Sequence, residues 1–127
     1  MNIERNEFGT GDALVIMHHG NSLDSTIFMP LINELINKYK IITLCLPEHG
    51  NSERPDKYNI RDLSQSIVDN INIETVTKYI LAHSLSGHLI LQEIHKLKDV
   101  ARVICVGTPA LGEITDITSA FTRGWGN

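Results

Sequence analysis

A serine held between a strand and a helix constrains this chain more than any other feature. Residues 82–87 read Ala-His-Ser-Leu-Ser-Gly. The apolar run Tyr79-Ile80-Leu81-Ala82 leads into Ser84, and Leu85, Leu89, Ile90, Ile94 and Leu97 leave it at helical spacing. Small residues, Ala82 and Ser86, stand two positions to either side. In so tight a turn, larger side chains there would clash with the neighbouring backbone. This is the pattern of a nucleophile elbow, which is expected to lift the serine oxygen off the sheet edge into open space.

The rest of the chain alternates strand and helix around that point. Strands are predicted over residues 12–18, 39–46, 79–83 and 101–106, the first nearly continuous in apolar residues, as suits a strand covered on both faces. Ile27, Phe28, Leu31, Ile32, Leu35 and Ile36 repeat at helical spacing, with Pro30 early, where a missing N–H is tolerated. Ile60, Leu63, Ile67 and Ile71 mark a second helix, with Asn59 as its N-cap and Asp62 three residues on. A third helix is predicted over 85–98, and the loop at 47–57 carries Gly50, Pro55 and several charges. The pattern dissolves after Gly107-Thr108-Pro109, and residues 112–127 read as an irregular tail. Such alternation implies right-handed crossovers and an α/β fold: a mostly parallel, doubly wound sheet of about four strands with flanking helices, in a single domain over 1–127. Ligands bind such sheets outside the carboxyl ends of the strands, where the winding reverses.

Composition narrows the partners. The formal net charge is −4 and the isoelectric point is near 5.8, which argues against nucleic acid or an anionic membrane. The start, Met1-Asn2-Ile3-Glu4-Arg5-Asn6-Glu7, is polar and carries no secretory pattern. No apolar run approaches a bilayer span. Cys45 and Cys105 sit in strand-like runs and read as reduced thiols packed as small hydrophobes, which fits a cytoplasmic protein. His18, His19, His49, His83 and His88 include no helical pair accompanied by a third ligand and a carboxylate, so no metal and no cofactor are expected.

Three predicted strands end in informative residues. The first ends in His18-His19-Gly20-Asn21, the second in Leu46-Pro47-Glu48-His49-Gly50-Asn51-Ser52, and the third at Ser84. On these motifs the chain resembles the N-terminal half of the α/β-hydrolase family, in its serine-nucleophile, esterase- or lipase-like branch. The likeness covers roughly residues 10–112. The resemblance implies a strand order of second, first, third, fourth, which sets the His19-Gly20-Asn21 turn beside Ser84. It further implies hydrolysis of a small ester-like substrate, with Ser84 as nucleophile, the backbone N–H groups of Asn21 and Leu85 as oxyanion hole, and Gly20, His19 and His83 lining the site, His83 pointing away from the serine. Leu85 opens a helix, so its amide has no partner within the helix and the dipole favours negative charge there.

Two departures from the family's pattern stand out. Ala82 and Ser86 replace the usual glycines around the serine, both still small. The family's Asp-x-Pro-Gly opening of the second loop becomes Cys45-Leu46-Pro47-Glu48, a change expected to affect loop packing. The family's acid and base, which follow the serine in chain order, have no clear counterparts: no histidine lies beyond His95, and only Glu113 or Asp116 could mimic the acid. The chain is therefore expected to be a truncated α/β-hydrolase, inactive by itself, whose last strand leaves an apolar edge open to self-association. The alternatives are a non-catalytic small-molecule-binding or interaction domain derived from a hydrolase, and a chain completed by a second polypeptide.

Overall fold

The computed structural model describes residues 3–19, 25–46, 50–52 and 59–107. Five strands form one sheet: β1 (Arg5–Phe8), β2 (Ala13–His18), β3 (Tyr39–Leu44), β4 (Lys78–His83) and β5 (Val100–Val106). Their order across the sheet is β1-β3-β2-β4-β5. β2 to β5 run parallel, in the order implied by the resemblance, and β1 pairs antiparallel with β3. The sequence reading did not place β1. It is four residues long and polar, and one neighbouring strand is enough to hold it at an edge.

The central strands are buried on both faces, and alternation sorts their side chains into two cores. Ile16, Ile42, Leu44, Ile80 and Ala82 pack on one face against Leu63, Ile67 and Ile71 of α2 (Ile60–Asn72) and Leu85, Leu89 and Ile90 of α3 (Leu85–Gln92). Met17 and Ile41 pack on the other against Phe28 and Ile32 of the segment leading into and forming α1 (Met29–Leu35). Burying each such aliphatic side chain contributes about 1.5–3 kcal/mol. α1 enters through a 3₁₀ turn at Ser25–Phe28, with Pro30 in its first turn.

The N-terminus of α2 is built as predicted. The Asn59 side chain accepts from the Asp62 N–H at 2.9 Å, and the Asp62 carboxylate accepts from the Asn59 N–H at 3.1 Å, a closed capping box. α3 is shorter than the sequence predicts. It stops at Gln92, and a 3₁₀ turn follows at Ile94–Lys96. Its continuation is diverted because Asn72, at the end of α2, holds both the Lys96 carbonyl and the Lys98 N–H at 2.9 Å. That clamp turns Leu97 onto the core and the chain into β5. Lys78, the first residue of β4, is wholly buried, and its Nζ donates to the Glu74 and Lys98 carbonyls at 2.7 Å each. Burial pushes its ammonium below the ordinary lysine value, against the opposing pull of Asp99 and Glu74.

Among the described residues, neither cysteine is in a disulfide; Cys45 is buried and Cys105 partly so. Among the described residues, too, no helix is long and apolar enough to cross a membrane.

Candidate active site

The backbone at the end of β4 makes the turn that the sequence implies. Ser84 follows His83 directly and caps α3 with φ 63° and ψ −125°. Side chains avoid this region, and holding a non-glycine residue in it costs on the order of 1–3 kcal/mol. Two hydrogen bonds sustain it. The Ser84 N–H donates to the Val106 carbonyl at the end of β5 at 2.9 Å, and the Ser84 carbonyl accepts from the Gly87 N–H at 3.1 Å. The open setting expected for Ser84 is not found: the residue is 5% exposed.

The end of β2 lies beside this turn, because β2 neighbours β4 and His18 is in register with Ala82. His18 and His19 are both fully buried. The Leu46 N–H, just beyond β3, donates to His19 Nε2 at 2.9 Å. His19 therefore carries its proton on Nδ1 and is neutral. The Ser86 hydroxyl donates to the His19 carbonyl, and His18 Nδ1 lies 3.0 Å from the same hydroxyl. With the hydroxyl proton committed to the carbonyl, His18 Nδ1 is the donor to Ser86 Oγ. The first turn of α3, the end of β2 and the end of β3 are thus tied through two imidazoles and one hydroxyl.

Ser86 is the residue that sequence reasoning undervalued. Its size was readable as a requirement of the turn, whereas its hydroxyl as a tie between α3 and β2 was not. The signal available was a serine standing where the resembled family has glycine. His83 is half-buried on the sheet face that carries Tyr79 and Leu81, opposite the Ala82 side. It approaches Gly107, where an added Cβ would meet His83 Nε2 at 3.8 Å. Gly20, Asn21 and His49 lie outside the described residues, as do Glu113, Asp116 and the tail at 112–127.

Among the described residues, no three His, Cys, Asp or Glu side chains gather closely enough to hold a metal ion. An apolar cavity of about 540 Å³ opens against the α1 face of the sheet, lined by Val15, Met17, Leu35, Tyr79, Leu81 and Ile104. Ser84 is not among its walls, so the cavity and the strand-end site are separate.

Comparison with known proteins agrees with this geometry. The profile of the alpha/beta hydrolase family matches residues 15–127. An esterase from Exiguobacterium antarcticum superposes with a TM-score of 0.76 at 23% identity, over 85% of this chain and 42% of the esterase. The thioesterase domain from the curacin biosynthetic pathway gives 0.78 at 18% identity, over 94% of this chain and 47% of that domain. A bromoperoxidase from Bacillus anthracis gives 0.72 at 19% identity, over 84% and 40%. The chain spans less than half the length of each of these structures. No match was found among curated proteins.

Proposed function

Because the chain belongs to the alpha/beta hydrolase family, we propose that it carries the nucleophile half of an acyl-transfer site, with Ser84 attacking a small ester-like substrate. The observation that carries this reading is the backbone of Ser84, held at φ 63° at the end of β4 where α3 begins. Such strain persists where the surrounding structure enforces it, and it clusters at functional sites. A strained serine between strand and helix is the backbone signature of a nucleophile turn, and because Ser84 is buried its oxygen reacts only once the strand ends open to the substrate.

In this mechanism Ser84 Oγ adds to the substrate carbonyl carbon, and its proton passes to a base. The carbonyl oxygen becomes an oxyanion, received by the backbone N–H groups of Leu85 and Asn21. Collapse of the tetrahedral adduct breaks the ester bond, expels the alcohol with a proton and leaves an acyl-serine that water then hydrolyses. Leu85 supports the oxyanion assignment by its place at the N-terminus of α3, where the dipole favours negative charge. One oxyanion donor is worth about 3 kcal/mol of transition-state stabilisation. Gly20, His19 and His83 would line the site, His19 through the end of β2.

The base limits the chain. No histidine follows His95 in these 127 residues, whereas the family's base follows the serine. Loss of such a base costs on the order of 10⁶ in kcat. Turnover of short-chain p-nitrophenyl esters by this polypeptide is therefore expected to stay at background. A rate comparable to that of complete hydrolases, abolished by Ser84→Ala, would overturn the requirement for an outside base. The burial of Ser84 favours a second reading, a small-molecule-binding domain that uses the crevice without catalysis.

A further inference from the structure

Glu4, just before β1, sits at the centre of a hydrogen-bonded knot that the catalytic reading does not use. One carboxylate oxygen accepts from the Asn51 N–H at 2.8 Å. The other accepts from the Asn6 side-chain amide at 2.8 Å and from the Cys45 thiol at 3.4 Å. The backbone is tied in the same place. The Glu4 N–H donates to Ser52 Oγ at 2.6 Å, Ser52 Oγ donates to the Cys45 carbonyl at 3.0 Å, and the Cys45 N–H donates to the Glu4 carbonyl at 3.0 Å. Gly50 lies within the knot at φ +52°, and a Cβ there would stand 3.1 Å from both Cys45 Sγ and Glu4 Oε1. The Asn51 N–H, followed by the other donors, holds the Glu4 carboxyl below its ordinary value, so it is the charged form that is gripped.

This knot adjoins the strand end that touches the turn at Ser84. Leu46, next to Cys45, donates to His19 Nε2, and the His19 carbonyl accepts from Ser86, two residues beyond Ser84. We propose that Glu4 is a positioning residue for Ser84: its carboxylate fixes residues 50–52 after β3 and, through Leu46 and His19, seats the end of β2 against the turn that carries the serine. The inference rests on the reading of Ser84 as nucleophile. In the resembled family, an aspartate opens the loop at the place of Cys45. Here Glu4, the residue before edge strand β1, supplies a carboxylate, and Cys45 Sγ donates to it.

The test compares wild type, Glu4→Ala and the double variant Glu4→Ala/Cys45→Asp. The backbone pairing of β1 with β3 does not involve the Glu4 or Cys45 side chains, so the sheet is expected to form in all three. Three quantities are read: amide hydrogen exchange at Asn51, the ¹⁵N shift of His19 Nε2, and the rate of fluorophosphonate labelling at Ser84 in imidazole buffer, the imidazole serving as surrogate base. Glu4→Ala is expected to speed Asn51 exchange by about tenfold or more, to move the His19 signal and to slow labelling several-fold. Cys45→Asp is expected to reverse all three. Unchanged Asn51 exchange, or faster exchange with the His19 signal unmoved, overturns the proposal. If wild type is not labelled, the nucleophile reading fails by itself, and the exchange and His19 measurements still decide whether Glu4 sets the strand end.

Discussion

Ser84 occupies a backbone conformation that glycine adopts readily and serine rarely does, so a serine there costs stability. Ser84→Gly is accordingly expected to raise the unfolding free energy by about 1 kcal/mol, measured by urea denaturation, while removing the hydroxyl proposed as nucleophile. No change, or a loss, would show that the turn is not strained. Ser86→Ala keeps the size that the turn needs and deletes the bond to the His19 carbonyl. It is expected to cost about 1 kcal/mol or more, because a buried hydroxyl that bridges the His19 carbonyl and His18 Nδ1 is removed. At this scale the sequence revealed the turn and its size limits. It hid the ties, because His19 meets Leu46 and Ser86, and Glu4 meets Cys45, Asn51 and Ser52, across long stretches of chain and only after the sheet forms. Glu4 adds a pH signature, with Cys45 the titratable group facing it among the described residues. Its carboxyl is held below the ordinary value of 4.5, so its stabilisation is fully present above that pH and is lost as pH falls through the folded value. The stability gap between wild type and Glu4→Ala is expected to narrow below about pH 4.5, and a constant gap would contradict this.

Elements whose signals are local formed where the sequence put them. The α2 capping box needs only Asn59 and Asp62, three residues apart, and the central strands announce themselves by apolar runs. Elements decided by distant contacts were less legible. β1 is too polar to read as a strand and exists by pairing with β3. α3 is cut short by Asn72, thirteen residues before its own start. Lys78 is the sharpest case at this scale, a charged residue buried at the head of β4 to hold the carbonyls that follow α2 and precede β5. Replacing it with alanine strands two carbonyls and leaves a void. Lys78→Ala is expected to lower stability by about 3 kcal/mol or more, read as a lower urea midpoint. A midpoint within error of wild type would show that the clamp is dispensable.

At the scale of the molecule, the two sheet edges differ in kind. β1 is short and carries Arg5 and Glu7, features that discourage strand addition. β5 is the outer strand at the other edge among the described residues, and Ile104 and Val106 are 52% and 50% exposed. We expect the 127-residue chain to self-associate through β5 and Ile104→Lys to weaken that association in sedimentation velocity. A wild type that stays monomeric across the concentration range would refute it. The family membership and the shared fold place this chain within a scaffold whose matched solved structures are about twice its length. One covalent adduct tests the role of Ser84 most directly. The folded chain is incubated with a fluorophosphonate in imidazole buffer, which supplies a surrogate base, and the modified peptide is mapped by mass spectrometry. An adduct on Ser84 that vanishes in Ser84→Ala is expected; a folded sample with no adduct there, or with one on another serine in its place, would refute the assignment of Ser84 as nucleophile.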